Sequence, residues 1–149
     1  MAFMQSGNPQ ARGLLVLRIF LGVFLIFEAL GKSSWLMDTA PLLKQLNGWQ
    51  QAAVPMNRWY LETVAIPGAA IFARLVPFGE AAAGLALVFG FYTRLAAFMA
   101  MLMVLNFHYA SGAIFQYSFL TNGYGLPVVG GLLALAVGGV GLPLGLNRK

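Results

Sequence analysis

Four long apolar runs, broken by very few charges, set the pattern of this chain. They cover residues 12–31 (RGLLVLRIFLGVFLIFEALG), 68–91, 95–112 and 124–146. A bilayer core takes roughly 20 apolar residues as helix, so each run reads as a span. The short turn Tyr92-Thr93-Arg94 joins the second and third runs and makes them antiparallel neighbours. The longest polar stretch, residues 33–66, separates the first two. The expectation is a single transmembrane domain over residues 1–149, all-α in class: an integral membrane four-helix bundle with short amphipathic interfacial helices between spans one and two.

Inside the 33–66 insert, Asp38 or Thr39 caps a helix whose Leu42, Leu46 and Trp49 fall at i, i+4 and i+7. Lys44, Gln45 and Asn47 fill the other side, a pattern suited to lying on a membrane surface. Asn57 reads as the cap of a second short helix carrying Trp59 and Tyr60. Trp35, Trp49 and Trp59 all fall in this insert, where an interfacial aromatic belt would place them. Phe115, Tyr117 and Phe119 alternate in a second aromatic loop. Pro77 is expected to kink the second span. Gly22, the set Ala82, Ala86 and Gly90, and the set Gly130, Ala134 and Gly138 are small enough for close helix packing. Residues 1–11 read as a polar, loosely ordered tail. The run after it is too long for a signal-peptide core, so it reads as a retained first span.

Composition sharpens the membrane reading. The chain is 60% hydrophobic and 9% charged, against about 25% charged in soluble domains. Its net charge of +5 includes no basic run, which argues against a nucleic-acid partner. It has no cysteine, so disulfides, thiol chemistry, Fe–S ligation and Cys-zinc sites are excluded within it. No metal site is expected. With four spans, Arg12, Arg94, Arg148 and Lys149 share the side of the termini. Lys32, Lys44 and Arg58 share the other side with Asp38 and Glu62. The positive-inside rule then favours both termini in the cytoplasm of a bacterial-type inner membrane.

The charges inside the runs carry the candidate chemistry. A charge at bilayer depth costs roughly 2.5–3.5 kcal/mol and persists when it is paired or used. Glu80 lies about 21 Å from Arg94 along its helix, near mid-membrane. Arg18 is the expected partner, in a structural ion pair that fixes helix register. Glu28, Arg74 and His108 are expected to share a shallower layer on the insert side, with Asn106 and Tyr109 beside it. These five are the candidate ligand or proton site; no residue stands out as catalytic. A quinone head group needs a hydrogen-bond partner at each carbonyl and a route for protons. Glu28 and His108 are the right chemical types, with Tyr109 as a stacking wall. The plainer readings stay open. Charge pairs also set topology, and a lone membrane histidine commonly bonds a neighbour, though it can also ligate a haem or pigment. Met99, Met101 and Met103 read as packing.

Three segments together resemble the DoxX-like family of small four-helix membrane proteins. They are LRIFLGVFLIFEALGK (17–32), FGEAAAGLALVFGFYTRLAAF (78–98) and the methionine-rich span that follows. The carriers are Arg18, Gly22, Gly31 and Lys32 in the first, and Gly79-Glu80-x-x-x-Gly84 with Gly90-x-x-Thr93-Arg94 in the second. The family includes the membrane subunit of a thiosulfate:quinone oxidoreductase and relatives associated with redox partners. The resemblance therefore implies a quinone-linked or redox-associated subunit of a larger oxidoreductase complex, not catalytic alone, with other membrane or redox subunits as partners. Thiol relays, a role of some relatives, do not suit a chain without cysteine. The alternative is a non-catalytic accessory subunit packed against a respiratory or photosynthetic membrane complex. A small transporter fits less well, because four spans hold no inverted repeat or paired broken helices.

Overall fold

The computed structural model describes residues 8–146 of the chain. Among them every regular element is helical. Helix α1 (Pro9–Gly31) starts where the Asn8 side chain accepts from Gln10 N at 3.0 Å, with proline in its first turn. A 3-10 turn (Ser33–Leu36) leads to α2 (Ala40–Gln51) and α3 (Pro55–Tyr60). The chain continues through a π-helical turn (Leu61–Ala65) towards α4 (Ala69–Phe89) and α5 (Thr93–Ala110). A 3-10 turn (Ala113–Phe115), α6 (Ser118–Thr121) and α7 (Leu126–Gly138) follow.

The four longest helices form a ring: α1 packs on α4, α4 on α5, α5 on α7, and α7 on α1. Their shared core is Leu21, Leu25, Leu87, Ala97, Ala100, Leu132 and Leu135. The insert builds a second core against α4 and α5 from Trp35, Leu42, Leu46, Leu61, Ala69, Ala73 and Ala110. One end of the ring therefore carries the insert and the 113–125 loop. The other carries the start of α1, the α4–α5 turn and the end of α7. On the outside, Phe20, Phe27, Ile71, Leu75, Phe78, Leu133 and Val137 are exposed. Soluble proteins rarely expose so much contiguous apolar surface. Helices α1 and α4 are long and apolar enough to cross a membrane.

The α1–α4 contact fixes the register of the site. A Cβ on Gly22 would lie 2.9 Å from the Gly84 carbonyl oxygen, and one on Gly84 would lie 2.8 Å from that of Gly22. The two backbones touch, as small residues allow in membranes. Gly22 therefore does what its size suggests, but its partner is Gly84. Ala82, Gly130 and Ala134 point outward, because the large apolar Leu87, Leu132 and Leu135 claim the inner faces.

Three further expectations change. Helix α7 stops at Gly138 rather than 146, and residues 142–146 fold back over the end of the ring. Leu146 N donates to Phe89 O at 3.2 Å there. Asn57 does not cap a helix; it lies inside α3, fully buried, and donates to Ala110 O at 3.2 Å. The tryptophans do not form one belt, because Trp35 is core, Trp49 half-buried and Trp59 exposed. The Asp38 cap holds, its Oδ1 accepting from Ala40 N at 2.9 Å. Pro77 sits inside α4 without ending it. Most of the expected tail, together with Arg148 and Lys149, lies outside the described residues.

Candidate functional site

Lys32 is the centre of the site. It follows the last turn of α1, and its side chain folds back along the helix instead of reaching outward. Its ammonium donates to Glu28 Oε2 at 2.8 Å, to Glu80 Oε1 and Oε2 at 3.0 Å each, and to the Glu28 carbonyl at 3.2 Å. The Phe107 ring stands 5.5 Å away, a cation–π distance. The Lys32 and Glu80 side chains are 14% and 7% exposed, whereas Glu28 keeps 38%. One lysine against two carboxylates leaves one negative charge when all are ionised. Adding one proton makes the group neutral.

This arrangement corrects the expected Arg18–Glu80 pair. Gly22 lies against Gly84 and Val88, and Arg18 lies against Gly90. That antiparallel register brings Glu28 level with Glu80 and leaves Arg18 about 15 Å further along α1. Arg18 is instead 1% exposed, with Nη2 donating to Leu144 O at 3.2 Å and with Nε and Nη1 without a partner among the described residues. Gly90 makes room for it in the left-handed conformation, φ +66°, where any Cβ would collide with the guanidinium.

The expected Glu28–Arg74–His108 layer also splits. Glu28 and His108 line one cavity of about 280 Å³, together with Lys32, Glu80, Gln45 and the aromatic Phe24, Phe107 and Tyr124. Arg74 faces away from it. Its Nη1 donates to Thr39 Oγ1 at 2.7 Å and to Ala70 O at 2.8 Å, so it ties α4 to the insert. Asn106 and Tyr109 serve the insert as well. Asn106 Oδ1 accepts from the Tyr60 hydroxyl at 2.7 Å, and the Tyr109 hydroxyl donates to Met56 O at 3.2 Å. Tyr109 stacks on Tyr60 and Phe115, not on the cavity.

His108 is set by the loop after α5. Its Nε2 lies 2.8 Å from Tyr124 O. A carbonyl only accepts, so Nε2 carries a proton and donates to it. The Asn122 side chain accepts from Tyr124 N at 2.8 Å and holds that loop. Phe119 meets the imidazole edge-on at 5.0 Å, and Tyr124 lies 5.7 Å from Phe24. Lys32, Gln45, Phe24, Phe107 and Tyr124 are cavity residues that the apolar pattern did not single out. For Lys32 a signal was present: Glu28 and Lys32 stand at i and i+4, the favourable order for a helical ion pair.

Among the described residues no cluster of three or more His, Cys, Asp or Glu could hold a metal ion. The cavity wall combines aromatic faces with polar side chains. Its aromatic walls offer stacking surface, Glu28 an exposed carboxylate and His108 a ring nitrogen.

No curated protein and no solved structure matches the chain. One family does, over a stretch that contains Glu28, Lys32, Glu80 and His108 and stops short of Tyr124. Family and apolar helices together make this a membrane protein. The DoxX family model matches residues 13–115, and the chain belongs to the DoxX family.

Proposed function

We propose that this protein is the quinone-linked membrane subunit of an oxidoreductase whose electron-transferring cofactor sits on a partner protein. The reading takes α1, α4, α5 and α7 as four spans of an inner membrane, with both termini cytoplasmic. Helix α7 is about 20 Å long at 1.5 Å per residue, short of a bilayer core. Residues 142–146, folded back over the ring, and α6 with residues 122–125 cover its two ends. The observation that carries the reading is the meeting of Glu28, Lys32, Glu80 and His108 in one aromatic-walled cavity. Its volume of about 280 Å³ is just below the range of roughly 300–1,000 Å³ typical of small-molecule sites. That size suits a ring with its tail outside. A bound quinone supplies two-electron chemistry with one proton exchanged at each carbonyl oxygen. The chain's part is to bind the ring between Phe24, Phe107 and Tyr124, and to hold a proton on the carboxylates around Lys32. With its Nε2 proton on Tyr124 O, a neutral His108 offers Nδ1 to a hydroxyl of the quinol form, which donates to it.

Binding of a short-chain quinol analogue, whose hydroxyls can donate to Glu28 and His108, to the purified protein, followed by quenching of its tryptophans, tests this. Glu28→Gln and His108→Ala are expected to weaken binding by about 10-fold each, the worth of one hydrogen bond to a charged or ring group. Arg74→Ala should bind as the parent does. Unchanged affinity in both cavity variants would sink the reading. In that case, co-purification with a large membrane complex would favour the accessory role.

A further inference from the structure

We propose that this cavity exchanges water and protons with the insert end of the ring only, and that Arg18 is the electrostatic part of the seal at the terminal end. The inference rests on the reading above in one respect: the cavity's ligand needs protons. The access itself is argued from the fold.

The mouth is built by elements of the insert end. Gln45 of α2 and Tyr124 of the loop before α7 border the cavity, both exposed, and Glu28 is the accessible member of the charged group. Towards the other end the interior closes. Leu25, Leu87, Ala97, Ala100, Leu132 and Leu135 are each no more than 1% exposed. Beside them the Gly22 and Gly84 backbones are in contact. Among the described residues the buried polar or charged side chains are Arg18, Asn57, Glu80 and Thr93. Asn57 belongs to the insert, and Thr93 opens α5 at the terminal end. No polar side chain therefore bridges the layer between Glu80 and Arg18. A proton crossing it would need water, and buried water needs polar partners.

Arg18 adds a second barrier behind the first. Among the described residues its charge has no carboxylate beside it, and its guanidinium is not deprotonated in proteins. A fixed cation on the path raises the energy of an entering proton, as arginines do in pores that exclude protons. Residues 142–146 and the left-handed turn at Gly90 cover it, so water does not screen it from the terminal side.

The chain has no cysteine, so one introduced thiol is the only one present. Val104→Cys in the cavity wall and Tyr92→Cys in the α4–α5 turn provide the pair, in sealed vesicles of known orientation. A charged, membrane-impermeant methanethiosulfonate is expected to modify Val104→Cys from the insert side, with no reaction from the terminal side. Tyr92→Cys should show the reverse. Reaction of Val104→Cys from the terminal side, or from neither side, overturns one-sided access. Vesicles with an entrapped pH dye then test Arg18. The parent protein and Arg18→Lys should leave passive proton leak at the level of empty vesicles, and Arg18→Met should raise it. A leaky parent overturns the seal, and a tight Arg18→Met removes Arg18 from it. One-sided labelling without quinone binding would discard the ligand and keep the sidedness.

Discussion

Lys32 and Arg18 are cations on one helix, about 21 Å apart along its axis, and their surroundings are opposite. Lys32 spends its three protons on two carboxylates and a carbonyl, next to a cavity. Arg18, with five N–H groups, donates to one carbonyl among the described residues and is otherwise enclosed by packing. The difference separates two uses of charge in an apolar protein. Under the proposed role, a lysine among carboxylates passes a proton because its neighbours can take one. An arginine that has no acid beside it among the described residues holds only a field in place.

The largest expected effect that separates these two is Lys32→Met. Removing one partner of a buried ionic group leaves the others uncompensated, which costs about 3–5 kcal/mol. Thermal unfolding in detergent should show it, with a much smaller shift for Glu80→Gln, whose amide oxygen still accepts from Lys32. Equal shifts would mean that Lys32 does not hold both acids. Next comes Gly84→Val, which forces side-chain atoms against the Gly22 backbone and costs about 1–3 kcal/mol as overpacking. If this variant is as stable as the parent, the α1–α4 register is wrong. Arg18→Met should change stability by about 1 kcal/mol or less, the worth of one hydrogen bond, since no acid among the described residues is left stranded. A loss as large as that of Lys32→Met would reveal a hidden partner and collapse the contrast. Arg74→Ala, on an exposed side chain, should stay within about 0.5 kcal/mol.

The helices were legible because long apolar runs between polar breaks have few alternatives. Three of the four runs start and stop within about three residues of the observed α1, α4 and α5. The fourth run overshot because apolar composition continues through Gly139, Gly141 and Pro143, where the backbone cannot stay helical. In the site, the residue types were visible and their pairing was not. Counting from helix ends gives depth along an axis. It does not say which way a side chain faces, nor that Lys32 bends back instead of extending to the boundary. Both errors favoured Arg18 for Glu80, and the Gly22–Gly84 contact decides against it. Arg74 was misplaced for the same reason: its depth suits the layer, but its face looks toward Thr39.

That Gly22–Gly84 contact has a mechanical side. Glu28 and Glu80 lie about 9 Å and 6 Å along their helices from it, both toward the insert end. Backbone pressed on backbone cannot compress, so it acts as a fulcrum between α1 and α4. A ligand that wedges the two acids apart drives the helices like scissor blades. Under the proposed role, filling the cavity would load that pivot and press the Arg18–Gly90 contact, already closed, more firmly shut.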